Sequence, residues 1–181
     1  PRLIEESGTV TQSAKLKELL RHIQEKTGHH KLLIFSQFVK MLKLISTALD
    51  DEGIAYEYLD GQSSQKQRQA SVEHFQSDTD CRVFLISLKA GGTGLNLTAA
   101  DYVYLVDPWW NPAVEAQAID RSYRIGQEKK VIAYRMICQD TVEEKILALQ
   151  ARKKALASNI VSTDESIFKQ LTAEDIADIF S

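Results

Sequence analysis

KLLIFS, residues Lys31–Ser36, is a short and nearly continuous apolar run, the pattern of a strand buried on both faces of a parallel sheet. Upstream of it, Leu16, Leu19, Leu20 and Ile23 recur at i, i+3, i+4 and i+7, which predicts a helix with Ser13 as N-cap and Gly28 as terminator. Downstream, a helix is predicted over Val39–Asp51, then a strand over Ile54–Leu59. The turn Asp60-Gly61-Gln62-Ser63 leads into a further helix, Gln65–Phe75. Val83–Ser87 and Tyr102–Val106 are two more buried strands, separated by a glycine-rich stretch. Asn111–Arg124, following Pro108 and Pro112, is read as helical, and Val131–Ile137 closes the set of strands. Strands that alternate with helices imply parallel pairing, because parallel neighbours need crossover connections. The fold class is therefore α/β, a parallel sheet with helices on both faces.

From Thr141 onward the pattern changes to one long helix carrying Val142, Ile146, Leu149 and Leu156, and a short helix is predicted after Thr172. This divides the chain into a polar tail (1–12), an α/β lobe (13–140) and a C-terminal helical extension (141–181).

The 181 residues are the length of one domain, and 44% hydrophobic with 26% charged residues supports a packed core. No apolar stretch approaches the ~20 residues needed to cross a bilayer, so no membrane partner is expected. The leading Pro1 and the lack of a basic, then apolar, N-terminal segment are read as a segment of a longer chain. A formal net charge of −3 removes the simplest argument for nucleic-acid binding, a basic excess over the whole domain. Any such contact must come from local placement. Cys81 and Cys138 are too far apart for a zinc ribbon, and His29 and His30 have no ligand-spaced companions, so no metal site is expected.

Three segments carry chemistry-bearing residues. Ala90-Gly91-Gly92-Thr93-Gly94-Leu95-Asn96 follows a strand end, where ligands bind in doubly wound sheets and bare amides cradle phosphate. It matches neither a Walker A loop nor a dinucleotide fingerprint, and a tight turn shaped for its own sake is the other reading. In the second segment, Gln117 to Gln127, Arg121 and Arg124 stand three apart, which on a helix points both guanidiniums one way. Forked cations suit a polyanion. The alternative is surface pairing with Asp120 or Glu115. The third, DPWWNP (Asp107–Pro112), holds both tryptophans of the chain, large surfaces that pack in cores or stack on bases. No complete catalytic constellation occurs, and the lysine and magnesium-binding acids of a self-sufficient NTPase are missing. The chemistry looks like half a site.

These segments together resemble the second RecA-like lobe of the Swi/Snf family of DNA-dependent ATPases, in helicase superfamily two. LLIFSQF (Leu32–Phe38) resembles that family's fourth motif, and DGQSSQKQR (Asp60–Arg68) the loop and helix after it. LISLKAGGTGLNLTAAD (Leu85–Asp101) resembles the fifth motif, and DPWWNPAVEAQAIDRSYRIGQ (Asp107–Gln127) the segment through the sixth. TVEEKILALQARKKAL (Thr141–Leu156) is similar to a helix that packs back across the lobe. The resemblance runs from Ser13 to Ser158, with Thr93 and Tyr123 as mild departures.

The resemblance implies ATP bound between two lobes with Mg2+, whose ligands belong to a first lobe outside this chain. Arg121 and Arg124 become arginine fingers, with Gln117 and Asp120 orienting them or touching the nucleotide. Gly92 and Gly94 allow close backbone approach, and Asn96 and Asp101 link the ATP state to the grip on DNA. Ser36, Gln37, Lys89 and Thr93 face the phosphates of double-stranded DNA, and Trp110 is a stacking wedge. Implied partners are the N-terminal ATPase lobe, double-stranded DNA and a DNA-bound protein that is remodelled. The ending LTAEDIADIF resembles bacterial members, which implies cytoplasm and nucleoid, or the nucleus in a eukaryote. Two other readings remain: a regulatory binding module without ATP turnover, and a stand-alone dinucleotide enzyme disfavoured by its failed glycine fingerprint.

Overall fold

The computed structural model describes residues 13–91, 95–109, 112–120 and 131–158. Its centre is a parallel sheet of five strands: β1 (Leu32–Ser36), β2 (Tyr56–Leu59), β3 (Val83–Ser87), β4 (Tyr102–Leu105) and β5 (Ile132–Arg135), in the order β2-β3-β1-β4-β5. All four pairings are parallel, with Leu32 opposite Val83 on one side and Tyr102 on the other. The strands therefore begin and end together, and their carboxyl ends form one rim.

Successive side chains of a strand point to opposite faces, and both faces here are apolar. Leu33, Phe35, Phe84, Ile86, Val103 and Leu105 form one core with Leu59, Phe75 and Ala118. Leu32, Ile34, Val83, Leu85, Tyr104 and Val106 form the other with Leu16, Leu19, Ile23, Leu42, Ile45 and Leu49. The first core is covered by α3 (Gln65–Ser77) and α5 (Pro112–Asp120), the second by α1 (Ala14–Arg21) and α2 (Val39–Asp51). Each fully buried Leu, Ile or Phe contributes about 1.5–3 kcal/mol, so two faces of such residues hold the crossovers in place.

The helix boundaries have local causes. Ser64 caps α3 in a reciprocal box: its hydroxyl accepts the Gln67 N–H, and the Gln67 side chain accepts the Ser64 N–H. Ser13 occupies the N-cap of α1 as read, yet its side chain makes no capping bond. The helix continues as a π-helical turn over His22–Lys26 and stops at Gly28, whose φ of +52° suits glycine. Lys89 lies on the one-turn helix α4 (Leu88–Gly91). The long helix α6 (Val142–Ser158) follows the last strand.

One expectation needs correction. Val131–Ile137 joins the sheet only over β5, and all four of its residues are exposed. β5 lies at the sheet edge, and none of its four residues enters either core. The 1–12 tail, the helix after Thr172 and the end of the helix read as Asn111–Arg124 lie outside the described residues.

Candidate functional site

The carboxyl rim is built from Ser36 and Gln37 at the end of β1, Ser87 at the end of β3, and Val106 to Trp109 after β4. Ser36 is fully buried; its hydroxyl donates to the Asp107 carboxylate and accepts the Phe38 N–H at 3.0 Å. Gln37 donates its amide to the Pro108 carbonyl at 3.3 Å. Both side chains therefore tie β1 to the segment after β4. Ser36, expected at a DNA phosphate, has its hydroxyl engaged inside the lobe, because a continuous apolar strand delivers its last residue into the sheet rather than onto the surface.

The segment from Val106 to Trp109 is held from three helices. Lys15 of α1, whose side chain is only 5% exposed, donates to the Val106 carbonyl at 2.7 Å and pairs with Glu143 of α6 at 2.6 Å. Glu115 of α5 is buried; it accepts the Trp109 N–H at 2.6 Å and pairs with Arg135 of β5. Gln150 of α6 donates to the Trp109 carbonyl. Among the described residues Glu115 pairs with Arg135; Arg121 and Arg124, for which it was weighed as a partner, lie outside them. Burial pushes the Asp107 carboxyl above its ordinary range, against the Ser36 hydroxyl and the Lys15 ammonium.

Around this framework stand groups open to solvent. Lys89 is exposed at the end of β3, where the Ser87 hydroxyl accepts the Ala90 N–H at 3.1 Å. Arg68 of α3 donates to the carbonyls of Ser63, Asp60 and Ala90, fastening the loop after β2 to the start of the glycine-rich stretch. On α5, Gln117 and Asp120 are exposed three residues apart on one face, while Glu115 and Ala118 face inward. Phe38, 56% exposed, adds an apolar edge beside Ser36.

Asp101 and Asn96 are not brought to this rim. Asp101 precedes β4, and parallel strands deliver such a residue to the amino ends, where it bonds His30 at 3.0 Å. It lines a shallow groove there with Lys26, His29, Lys31 and Gln76. The Asn96 carbonyl accepts from Gln76 in the last turn of α3, at 3.1 Å. Gly92, Thr93, Gly94, Trp110, Arg121 and Arg124 lie outside the described residues.

The residues that sequence reading missed are the supports Lys15, Arg135, Glu143 and Gln150, and Glu115, weighed only as a surface ion-pair partner, is a buried support. Lys15 offered one signal, a cation in the apolar half of an amphipathic helix beside Leu16 and Leu19. Among the described residues, the one group of His, Cys and carboxylate side chains close enough to hold an ion is Glu57, His74 and Cys81, away from the rim. Mg2+ prefers oxygen ligands, so this mixed group does not fit it.

Residues 13–126 match the helicase conserved C-terminal domain. The DNA repair protein rad5 of Neurospora crassa is 44% identical over 185 residues, covering 100% of this chain and 15% of the relative. An ATP-dependent helicase of Mycoplasma pneumoniae is 40% identical over 96% of this chain and 17% of its own length. Among solved structures, the Sulfolobus solfataricus SWI2/SNF2 ATPase core in complex with dsDNA is 34% identical, covering 98% of this chain and 37% of its own, with TM-score 0.74. The C-terminal domain of that ATPase is 33% identical over 98% of this chain and 72% of its own, with TM-score 0.71. The chain spans about 15% of the length of the curated relatives it matches first.

Proposed function

This chain belongs to the helicase C-terminal domain family as the second RecA-like lobe of a Swi/Snf-type ATPase, and from that premise we propose that it is one half of a motor driven along double-stranded DNA by ATP. The observation that carries the reading is the rim itself. The ends of β1 and β4 are tied together by the buried side chains of Ser36, Lys15 and Glu115, and exposed Lys89, Gln117 and Asp120 stand around them. Carboxyl ends of parallel strands are where such sheets bind nucleotides.

In this reading, ATP sits between the rim and the N-terminal ATPase lobe, which supplies the Walker lysine and the Mg2+ ligands. Arg124, with Arg121, neutralises charge developing on the γ-phosphate, while Gln117 and Asp120 orient the guanidiniums. Gly92 and Gly94 allow the backbone to approach the nucleotide. Lys89 and Thr93 meet a DNA phosphate, Trp110 stacks at the DNA edge, and Ser36 and Gln37 position that surface from inside. The arginines reach the nucleotide only when the lobes meet, so ATP favours closure and hydrolysis releases it. Each cycle advances the grip. A DNA-bound protein in the path is then remodelled or displaced, and the lobe alone turns over no ATP.

The experiment is ATP hydrolysis by the intact parent, with and without double-stranded DNA, beside this chain at equal concentration. DNA stimulation in the parent and none in the chain is expected. Arginine fingers are worth roughly a thousand- to a hundred-thousand-fold in turnover, so Arg124→Ala in the parent should abolish it. Turnover within tenfold of the unsubstituted parent sinks the finger role.

A further inference from the structure

Away from the rim, three elements bring different ligand types to one place. Glu57 comes from β2, His74 from the last turn of α3, and Cys81 from the connection into β3. One ligand atom from each lies within 4.8 Å of the others. His74 Nδ1 faces Glu57 Oε1 at 2.6 Å, and its other nitrogen, Nε2, faces Asp78 Oδ2 at 3.0 Å. Asp78 is itself fixed, accepting the Asp80 N–H at 2.7 Å.

We propose that Glu57, His74 and Cys81 form a zinc site, with water as the fourth ligand and Asp78 orienting the imidazole. Thiolate, imidazole and carboxylate are the donor set that borderline-soft Zn2+ takes and that Mg2+ and Ca2+ do not. The Asp78 contact is the arrangement metal-bound histidines adopt, with one nitrogen on the ion and the other N–H on a carboxylate. Zinc bonds of about 2.0–2.3 Å set neighbouring ligand atoms roughly 3.3–3.8 Å apart, so Glu57 must turn back slightly from His74. His74, with a side chain 52% exposed, leaves the ion a path from solvent.

Charge also balances. The Lys31 ammonium lies beside the group, donating to the carbonyls of Phe75 and Asp78. Two carboxylates and a thiolate are then offset by that ammonium and a divalent ion. The bound ion ties the β2 edge to α3 and β3.

The test is titration of the full chain with Co2+, which reports thiolate ligation through a near-ultraviolet charge-transfer band, followed by displacement with Zn2+. A band that saturates at one ion per chain and is bleached by Zn2+ is expected. Cys81→Ser should abolish it, and His74→Ala should weaken binding by at least about tenfold, as should Asp78→Asn. Cys138→Ser and a double alanine variant at His29 and His30 should leave it intact. Since Cys81 is buried, His74→Ala provides the arm that does not threaten folding. No thiolate band, or binding unchanged in His74→Ala, overturns the site.

Discussion

Gln150 of α6 donates its side-chain amide to the carbonyl oxygen of Trp109, whose own N–H donates to Glu115 of α5 at 2.6 Å. Both backbone polar groups of one residue in a loop are thus bound by side chains from two separate helices. A loop has no ladder to satisfy its backbone, so these partners, rather than secondary structure, define its course. Because the loop leads from β4 into the tryptophan segment, α6 is part of the rim and not merely a cover over it.

Removing Glu115 should cost more than removing Gln150. Glu115→Ala leaves the Trp109 N–H unpaired and strips Arg135 of its carboxylate, for about 2–3 kcal/mol, discounted because Arg135 is 39% exposed. Gln150→Ala loses a neutral bond to a carbonyl, about 1 kcal/mol. Glu115→Gln retains an acceptor for Trp109 and should fall between them. Urea denaturation of the four proteins checks the ranking, and the reverse order would contradict the role given to Glu115.

Lys15 and Glu143 join the first and last described helices across the sheet end. Glu143→Ala leaves a nearly buried ammonium with the Val106 carbonyl as its one hydrogen-bond acceptor among the described residues, so its expected cost is about 2–4 kcal/mol. Lys15→Met replaces the cation with an apolar chain of similar length, and should cost less. The double variant should be milder than the sum, with a coupling of about 1–3 kcal/mol from a double-mutant cycle. Strict additivity would show that the pair contributes nothing.

Asp107 makes stability depend on pH in a defined direction. Burial raises its folded pKa above the ordinary value of 3.8, so the folded state holds the proton more tightly than the unfolded chain. Its favourable contribution is complete below that ordinary value and is lost as pH rises through the raised one. Asp107→Asn keeps an acceptor for Ser36 and carries no charge. Relative to the unsubstituted chain, the variant should therefore gain stability between about pH 4 and neutrality, measured by denaturant midpoints across that range. A gap that is flat with pH would refute the assignment.

Periodicity made the layers legible. Val39–Asp51 and Val83–Ser87 were readable to the residue, because the apolar pattern of the first is long, that of the second is unbroken, and each ends on a polar residue, Asp51 and Ser87. The exposure of β5 was not readable, since Val, Ile and Tyr suit an edge strand as well as a buried one. Nor was the placement of Asp101, which stands close to the glycine-rich stretch in sequence and at the other end of β4 in space. Long-range pairs such as Arg135 with Glu115 have no local signature. The same holds for Glu57, His74 and Cys81, whose spacing follows no ligand motif because the crossover α3, not a tight loop, brings them together.

Under the proposed function, Lys89 separates DNA contact from folding. It is exposed at the rim on α4, and it has no part in the buried pairs that hold the Trp109 loop, so Lys89→Ala should leave the denaturant midpoint unchanged. Each phosphate a lysine neutralises releases condensed counterion and adds about 0.9 to the slope of log affinity against log salt. In the intact parent, the variant should bind double-stranded DNA more weakly, with that slope shallower by about one and the loss spread evenly over sequences. Fluorescence anisotropy from low to physiological salt measures it. An unchanged slope would remove Lys89 from the proposed DNA track while leaving the fold as it stands.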